Sequence, residues 1–259
     1  MDIRLDGRRA LITGGSAGLG LAMAKTFARS GAAVAIAARR HDVLEAARAE
    51  IAAAGGPVHA VAADVSSPAD CERAFRSSVD ALGGVDILVN NAGTSAAGAF
   101  EAVTDEEWQA DLDLKLFAAI RLCRLALPAM RAQRWGRIIN VLNIGAKTPG
   151  RGSAPTTVTR AAGMALTKVL AGEAAADGVL VNALCTGVLV TEQWGKLHQR
   201  RGGELGFEEF LERTGRAVPI GRMGDPQEFA NLACFLASDA ASFVTGCAIN
   251  VDGGASPVV

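Results

Sequence analysis

Short β-rich runs alternate with longer helical stretches along the whole chain, and this alternation narrows the available folds more than any other feature. Strands are expected at 9–13, 33–37, 58–62, 85–89, 137–142, 179–184 and 247–251, and helices at 18–30, 42–54, 68–82, 105–133, 156–176 and 225–237. Strands that take turns with helices build parallel sheets, because a parallel neighbour is reached only by a crossover. The strand runs, such as Ala10-Leu11-Ile12, are apolar on both faces instead of alternating. Helices must therefore cover both sides of the sheet. At 259 residues, 50% hydrophobic, the chain suits one large domain, and no linker, repeat or low-complexity tract divides it. The expectation is an α/β fold, a single doubly wound domain with a seven-stranded parallel sheet flanked by helices. Segment 191–216 breaks the rhythm: it is charged and glycine-containing, and reads as a lid between the sixth strand and the last helix.

Composition excludes several kinds of partner. A formal net charge of −1 gives no electrostatic case for nucleic acid or an anionic membrane. The most apolar stretches are broken by Arg121, Arg124, Lys168 or Glu173, well short of a membrane span. No apolar leader precedes the first strand, so no signal peptide is expected. Five cysteines (Cys71, Cys123, Cys185, Cys234 and Cys247) are scattered and never in a Cys-x-x-Cys spacing. They read as the reduced thiols of a cytoplasmic protein, with no disulfide framework and no metal site.

Gly14-x-x-x-Gly18-x-Gly20 sits where the first strand turns into the first helix. Glycine there lets the backbone turn tightly and approach a pyrophosphate, whose charge the helix N-terminus favours. A tight turn with nothing bound would use the same residues; placement in the first strand–helix unit is what favours a nucleotide. At the end of the second strand an acidic residue would bind a ribose 2′-hydroxyl and repel a 2′-phosphate. The chain has Ala37-Ala38-Arg39-Arg40 instead. Arg39 suits a bidentate phosphate contact and favours NADP over NAD, the alternative being an ordinary solvated loop arginine. Asp42, with Glu45 three residues on and the stripe Val43, Ala46, Ala47, reads as an N-cap with a capping-box partner rather than as the missing acid.

These motifs, with Asn90-Asn91-Ala92-Gly93 after the fourth strand, Asn182 through Thr191 after the sixth, and Val251-Asp252-Gly253-Gly254 at the end, resemble the classical short-chain dehydrogenases/reductases over nearly the whole chain. The resemblance implies a Rossmann-type domain. It places Gly14, Ser16, Gly18, Leu19 and Gly20 around the dinucleotide phosphates, and Asp64 and Val65 at the adenine. Asn91, Ala92 and Gly93 would lie by the ribose, and Gly187, Val188 and Thr191 at the nicotinamide. It further implies a small-molecule substrate and a homotetramer or homodimer assembled through the two long helices.

The same family uses Asn, Ser, Tyr and Lys for chemistry, and this chain contains no tyrosine. Aligning on Trp108 and its helix puts Lys115 at the family's asparagine; Gly136 through Asn143 puts Asn143 at the serine; Arg160-Ala161-Ala162 puts Arg160 at the lysine and Thr156 at the tyrosine. A phenol ionises near pH 10, whereas an aliphatic hydroxyl is a far weaker acid, comparable to water. Thr156 therefore needs a partner to act on a proton. Asn143 can polarise a carbonyl by donating to it, and Arg160 stays protonated but can bind ribose hydroxyls. Lys115 shares a helical face with Trp108, Leu112, Ala119 and Leu122, so its stem points toward the core. Near Arg160 its ammonium would be a usable general acid; an ordinary i,i+4 pair with Asp111 is the competing reading. Lys147, Arg151, Lys196 and His198 would favour an anionic substrate, unless they are simply solvated.

Three functions follow. The first is an atypical NADP(H)-dependent oxidoreductase on a carbonyl or alcohol, with Lys115 or a water standing in for tyrosine. The second is a non-redox enzyme on the same fold, of retro-aldol, isomerase or dehydratase type, in which Lys115 serves imine or enolate chemistry. The third is a dinucleotide-binding pseudoenzyme. Persistence of Gly187 and Thr191 at the nicotinamide end favours the first.

Overall fold

β1 (Arg9–Thr13) lies inside a seven-stranded sheet of order β3-β2-β1-β4-β5-β6-β7, every adjacent pair being parallel. The other strands are β2 (Ala33–Ala38), β3 (Val58–Ala62), β4 (Ile87–Asn90), β5 (Gly136–Asn143), β6 (Val179–Thr186) and β7 (Ala248–Val251). The computed structural model describes residues 3–200 and 206–259.

Alternate residues of each strand feed two separate cores, which is why the runs read as apolar on both faces. Ile12, Val34 and Ile36 pack with Phe27 of α1 (Gly18–Arg29), Leu44 of α2 (His41–Ala54) and Phe229 of α9 (Pro226–Ala237). Leu11, Ala35 and Leu88 point the other way, toward Phe75 of α3 (Pro68–Leu82) and Leu122 of α5 (Ala118–Ala132). α6 (Thr156–Ala174) completes that second layer through Ala171 and Ala174.

One local expectation is corrected. α2 begins at His41 with Arg40 as its extended N-cap and no side-chain cap bond. Asp42 thus falls inside the first turn, and Glu45 bonds Arg48 instead of closing a capping box. The long helix expected at 105–133 is present over 105–132, with a π-helical turn at Asp113–Phe117 between its two α-helical parts, α4 (Asp105–Leu112) and α5. One widened turn is too short to disturb hydrophobic periodicity, so the sequence gives no sign of it. Three other helix starts follow their capping residues. Thr104 and Asp225 each form a capping box, with Glu107 and Glu228, and Ser67 caps α3 ahead of Pro68.

At the edge remote from these turns, Asp86 ties β1 to β4. Arg9 donates to it from Nε at 2.7 Å and Nη2 at 2.6 Å, and Gln133 from Nε2 at 2.9 Å. Burial works to raise this carboxyl, but the Arg9 and Gln133 bonds outweigh it and hold it below its ordinary value. Asp86→Asn is expected to cost about 2–3 kcal/mol in urea unfolding at pH 7, the range for charge-assisted hydrogen bonds. A depressed native pKa stabilises above the unfolded value and is lost as pH falls through the native one. The gap between wild type and variant therefore narrows below about pH 4.

Candidate active site

The carboxyl ends of β1 and β4 are stitched together by Thr13 and Asn91. The Thr13 hydroxyl accepts from the amides of Asn91 at 3.0 Å and Ala92 at 3.1 Å. Asn91 Nδ2 donates to the carbonyls of Thr13 at 2.9 Å and Gly14 at 3.2 Å. This bracing leaves no room for side chains on the glycine turn: a Cβ on Gly14 or Gly20 would lie 2.9 or 2.6 Å from that same nitrogen. Gly18 has φ of +53°, with Thr191 Cγ2 3.6 Å from its notional Cβ as the nearest neighbour. Ala17, the N-cap of α1, supplies no capping bond, and the first turn has no acidic residue. The leading amides of α1 are thus open to an anion, the arrangement a dinucleotide phosphate requires. Ser16 and Leu19 lie on this turn.

Asp64 uses Oδ1 to accept from the amide and hydroxyl of Ser66, and Val65 beside it is buried. Arg39 is exposed, its Nη1 3.9 Å from Asp64 Oδ2. Gly187 donates to the Val251 carbonyl, and the Val188 carbonyl accepts from Gly224, which fixes the loop leading to Thr191.

Of the expected catalytic residues, Lys115 lies on the π-helical turn, and Thr156 and Arg160 of α6 approach it. Lys115 forms a salt bridge with Asp111, both side chains being 2% exposed, and donates to Thr156 Oγ1 at 3.0 Å. The same hydroxyl accepts from the Ala96 amide at 2.9 Å. The ion pair with Asp111 expected as the competing reading of Lys115 is thus present, and the same ammonium also reaches Thr156. Arg160 donates from Nη1 to the Val141 carbonyl, and its Nη2 lies 2.6 Å from where Gly93 would carry a Cβ. Lys115 Cγ stands 3.7 Å from that point, so Gly93 is the floor on which both cations rest. The Asn143 Oδ1 is buried without a partner, facing Gly145. A cavity of about 20 Å³ lies below, lined by Asn90, Asn140, Lys115 and Arg160, with room for one water.

Burial pulls the Lys115 ammonium below its ordinary value; the Asp111 hydrogen bond opposes this and the Arg160 charge reinforces it. Burial likewise brings Arg160 down to about 10. Cys185 packs, buried, against Leu142 and Ala183, and burial raises its thiol.

Other expected pocket charges are placed differently. Lys147 Nζ donates to the Ala248 carbonyl at 2.7 Å, so that cation is held by the backbone of β7 instead of facing a substrate. His198 lies against the rings of Phe207 and Phe210 at 5.4 and 5.2 Å, joining α7 (Glu192–Arg200) to α8 (Phe207–Arg216). The Lys196 side chain and part of the 191–216 segment lie outside the described residues. Two participants carried no sequence signal: the Ala96 amide, and Glu192, whose carboxylate is 3.8 Å from Arg40. A wider groove of about 640 Å³ on the outer face of α3, beside His59, gathers none of these groups.

A family model described as enoyl-(acyl carrier protein) reductase matches residues 14–256. The chain is 34% identical to 3-oxoacyl-(acyl-carrier-protein) reductase FabG of Aquifex aeolicus over 255 residues, 98% of this chain and 99% of that protein. L-sorbose reductase from Gluconobacter frateurii, solved as a complex with NADPH and L-sorbose, superposes with a TM-score of 0.96 at 36% identity and full coverage of both chains. A short chain oxidoreductase from Pseudomonas aeruginosa PAO1, described as containing an atypical catalytic center, gives a TM-score of 0.92 at 33% identity, covering 99% of this chain and 100% of its own. With its parallel sheet, its glycine turn and these relatives, the chain belongs to the short-chain dehydrogenase/reductase family.

Proposed function

We propose that this protein is an atypical NADP(H)-dependent oxidoreductase that interconverts a carbonyl and an alcohol on a small molecule, with Lys115 and Thr156 serving as proton donor in place of tyrosine. The buried hydrogen bond from Lys115 Nζ to Thr156 Oγ1 carries this reading, since it supplies the partner that a threonine hydroxyl lacks. Both acceptor positions of that hydroxyl are taken, by Lys115 and the Ala96 amide, so its own proton is left to donate. As the substrate oxygen takes that proton, Lys115 replaces it at Oγ1, and no free alkoxide forms. With Oδ1 of Asn143 turned into the protein, its amide nitrogen is the arm left to polarise the substrate oxygen. Arg160 adds fixed positive charge beside Gly93, next to the expected ribose position.

The phosphate turn of Gly14, Ser16, Gly18, Leu19 and Gly20 and the rim of Asp64, Val65, Asn91, Ala92, Gly93, Gly187, Val188 and Thr191 would hold the dinucleotide. When bound, NADP(H) supplies the hydride chemistry. Arg39 suits the 2′-phosphate, in keeping with the NADPH found in the sorbose reductase relative. Lys115 and Arg160 against Asp111 leave the pocket net positive, which suits an anionic substrate. The 191–216 segment serves as its lid. Within one domain, five unpaired cysteines accord with a cytoplasmic setting. Val158 and Val169, exposed on α6, offer a face for homodimer or homotetramer assembly. No helix among the described residues is long and apolar enough to cross a membrane. Imine chemistry is disfavoured, because the Lys115 nitrogen is sealed in an ion pair with Asp111.

Incubation with NADPH and a broad panel of aldehydes and ketones should give turnover; NADPH binding with no oxidoreduction in either direction would leave a pseudoenzyme. Lys115→Met should lower kcat by about 100-fold or more, the usual size of general acid–base catalysis, while NADPH affinity stays within about twofold. Thr156→Val should match that loss and Thr156→Ser should keep most of the activity. Arg39→Ala should weaken NADPH binding about 10- to 100-fold, the value of a charge-assisted contact, and leave NADH unchanged, as followed by nucleotide fluorescence.

A further inference from the structure

Asp111 is unexplained by stability alone. It is buried on the last turn of α4, gives one oxygen to Lys115, and leaves Oδ2 buried without a partner. A buried ion pair with an unsatisfied oxygen contributes little that an apolar pair of the same volume would not, because desolvation offsets the attraction. Its geometry points elsewhere. Asp111 and Lys115 are four residues apart, so they meet on one face as the helix enters its π-helical turn. Lys115 also reaches across to Thr156 at the start of α6, so one ammonium bridges a carboxylate and a hydroxyl. The charged groups facing Lys115 are Asp111 from α4 and Arg160 from α6; Thr156, Asn90 and Asn140 around it are neutral.

We infer that Asp111 is a positioning residue for proton transfer, holding Lys115 in its ammonium form and aimed at Thr156 Oγ1. The order carboxylate, amine, hydroxyl repeats the logic by which an aspartate orients a base against a nucleophilic hydroxyl in hydrolases, here run toward proton donation. Deprived of the carboxylate, Lys115 would face Arg160 in a desolvated site, where both influences favour its neutral form. During reduction the proton passes from Thr156 Oγ1 to the substrate oxygen, and one N–H of Lys115 replaces it. The neutral amine is then reprotonated from solvent under the pull of Asp111. No further oxidant or reductant is needed beyond the dinucleotide.

The inference rests on the oxidoreductase reading but is tested separately from it. Wild type, Asp111→Asn and Asp111→Glu are compared by titrating the lysine ζ-nitrogens by NMR, with Lys115→Met assigning the signal, and by the pH profile of kcat. Asp111→Asn should move the Lys115 titration to lower pH by roughly one unit or more. A donor must be protonated, so activity is lost as pH rises through its pKa, and the alkaline limb should move down by the same amount. KM should stay within about twofold, and Asp111→Glu should restore both curves at least in part. An unmoved Lys115 titration in folded Asp111→Asn would overturn the inference, as would a loss of activity uniform across pH. If Asp111→Asn does not fold, Asp111→Glu decides alone: a Lys115 titration displaced from wild type with a matching kcat limb supports the role, and loss of activity without displacement rejects it. Failure of every carbonyl and alcohol would remove the redox function, while the NMR titration would still decide the part Asp111 plays.

Discussion

Because every strand runs in the same direction, each strand-to-helix turn opens at one edge of the sheet, and all the chemistry is gathered there. The strand order reverses between β1 and β4, so the helices leaving these strands go to opposite faces and a crevice opens between their ends. Thr13 and Asn91 hold that crevice to a fixed width with hydrogen bonds between side chain and backbone. The glycine turn, the floor at Gly93 and the two buried cations all take their positions from this join.

Charge inside the crevice is organised by unequal access to water. Lys115 and Asp111 are both removed from solvent, and Arg160 is anchored to a strand carbonyl. Arg39 and Arg40 stand in solvent and pair loosely with Asp64 and Glu192. The buried pair costs desolvation energy and exerts strong local control, whereas the exposed pairs contribute little and are readily exchanged for a ligand anion. The two ends of the crevice thus differ in kind: one holds its charges buried and fixed, and the other holds them exposed and adaptable.

Most of the architecture was legible in the sequence, because two-sided apolar runs and helix caps such as Asp225-Pro226 act locally. All seven strands lie within two residues of their expected bounds at either end. The reading failed where the outcome depends on one residue: Asp42 looked like a cap, but the chain enters α2 a residue earlier; the π-helical turn inside the expected 105–133 helix leaves no periodic signature. Substitution at Lys115, Asn143, Thr156 and Arg160 was visible as a pattern of residue types. Their mutual arrangement was not, since the contact of Lys115 with Thr156 spans 41 residues and depends on how α4 and α6 pack. The sequence presented the Asp111 pair and a catalytic role as alternatives for Lys115; the fold shows the pair, with the same ammonium bonded to Thr156.

Absence of tyrosine has an optical consequence as well as a chemical one. Near-ultraviolet emission comes from three indoles alone, Trp108, Trp135 and Trp194. Trp135 is stacked with Arg8 and Arg137 and bonded to Asp239, a rigid setting at the edge of the sheet away from the crevice. Trp194 sits on α7, where its ring nitrogen donates to the Leu189 carbonyl and its ring lies 6.2 Å from that of Phe210. Trp108 and Trp194 lie on the helices that follow β4 and β6, so emission reports on those helices and on the base of β5 separately from the glycine turn.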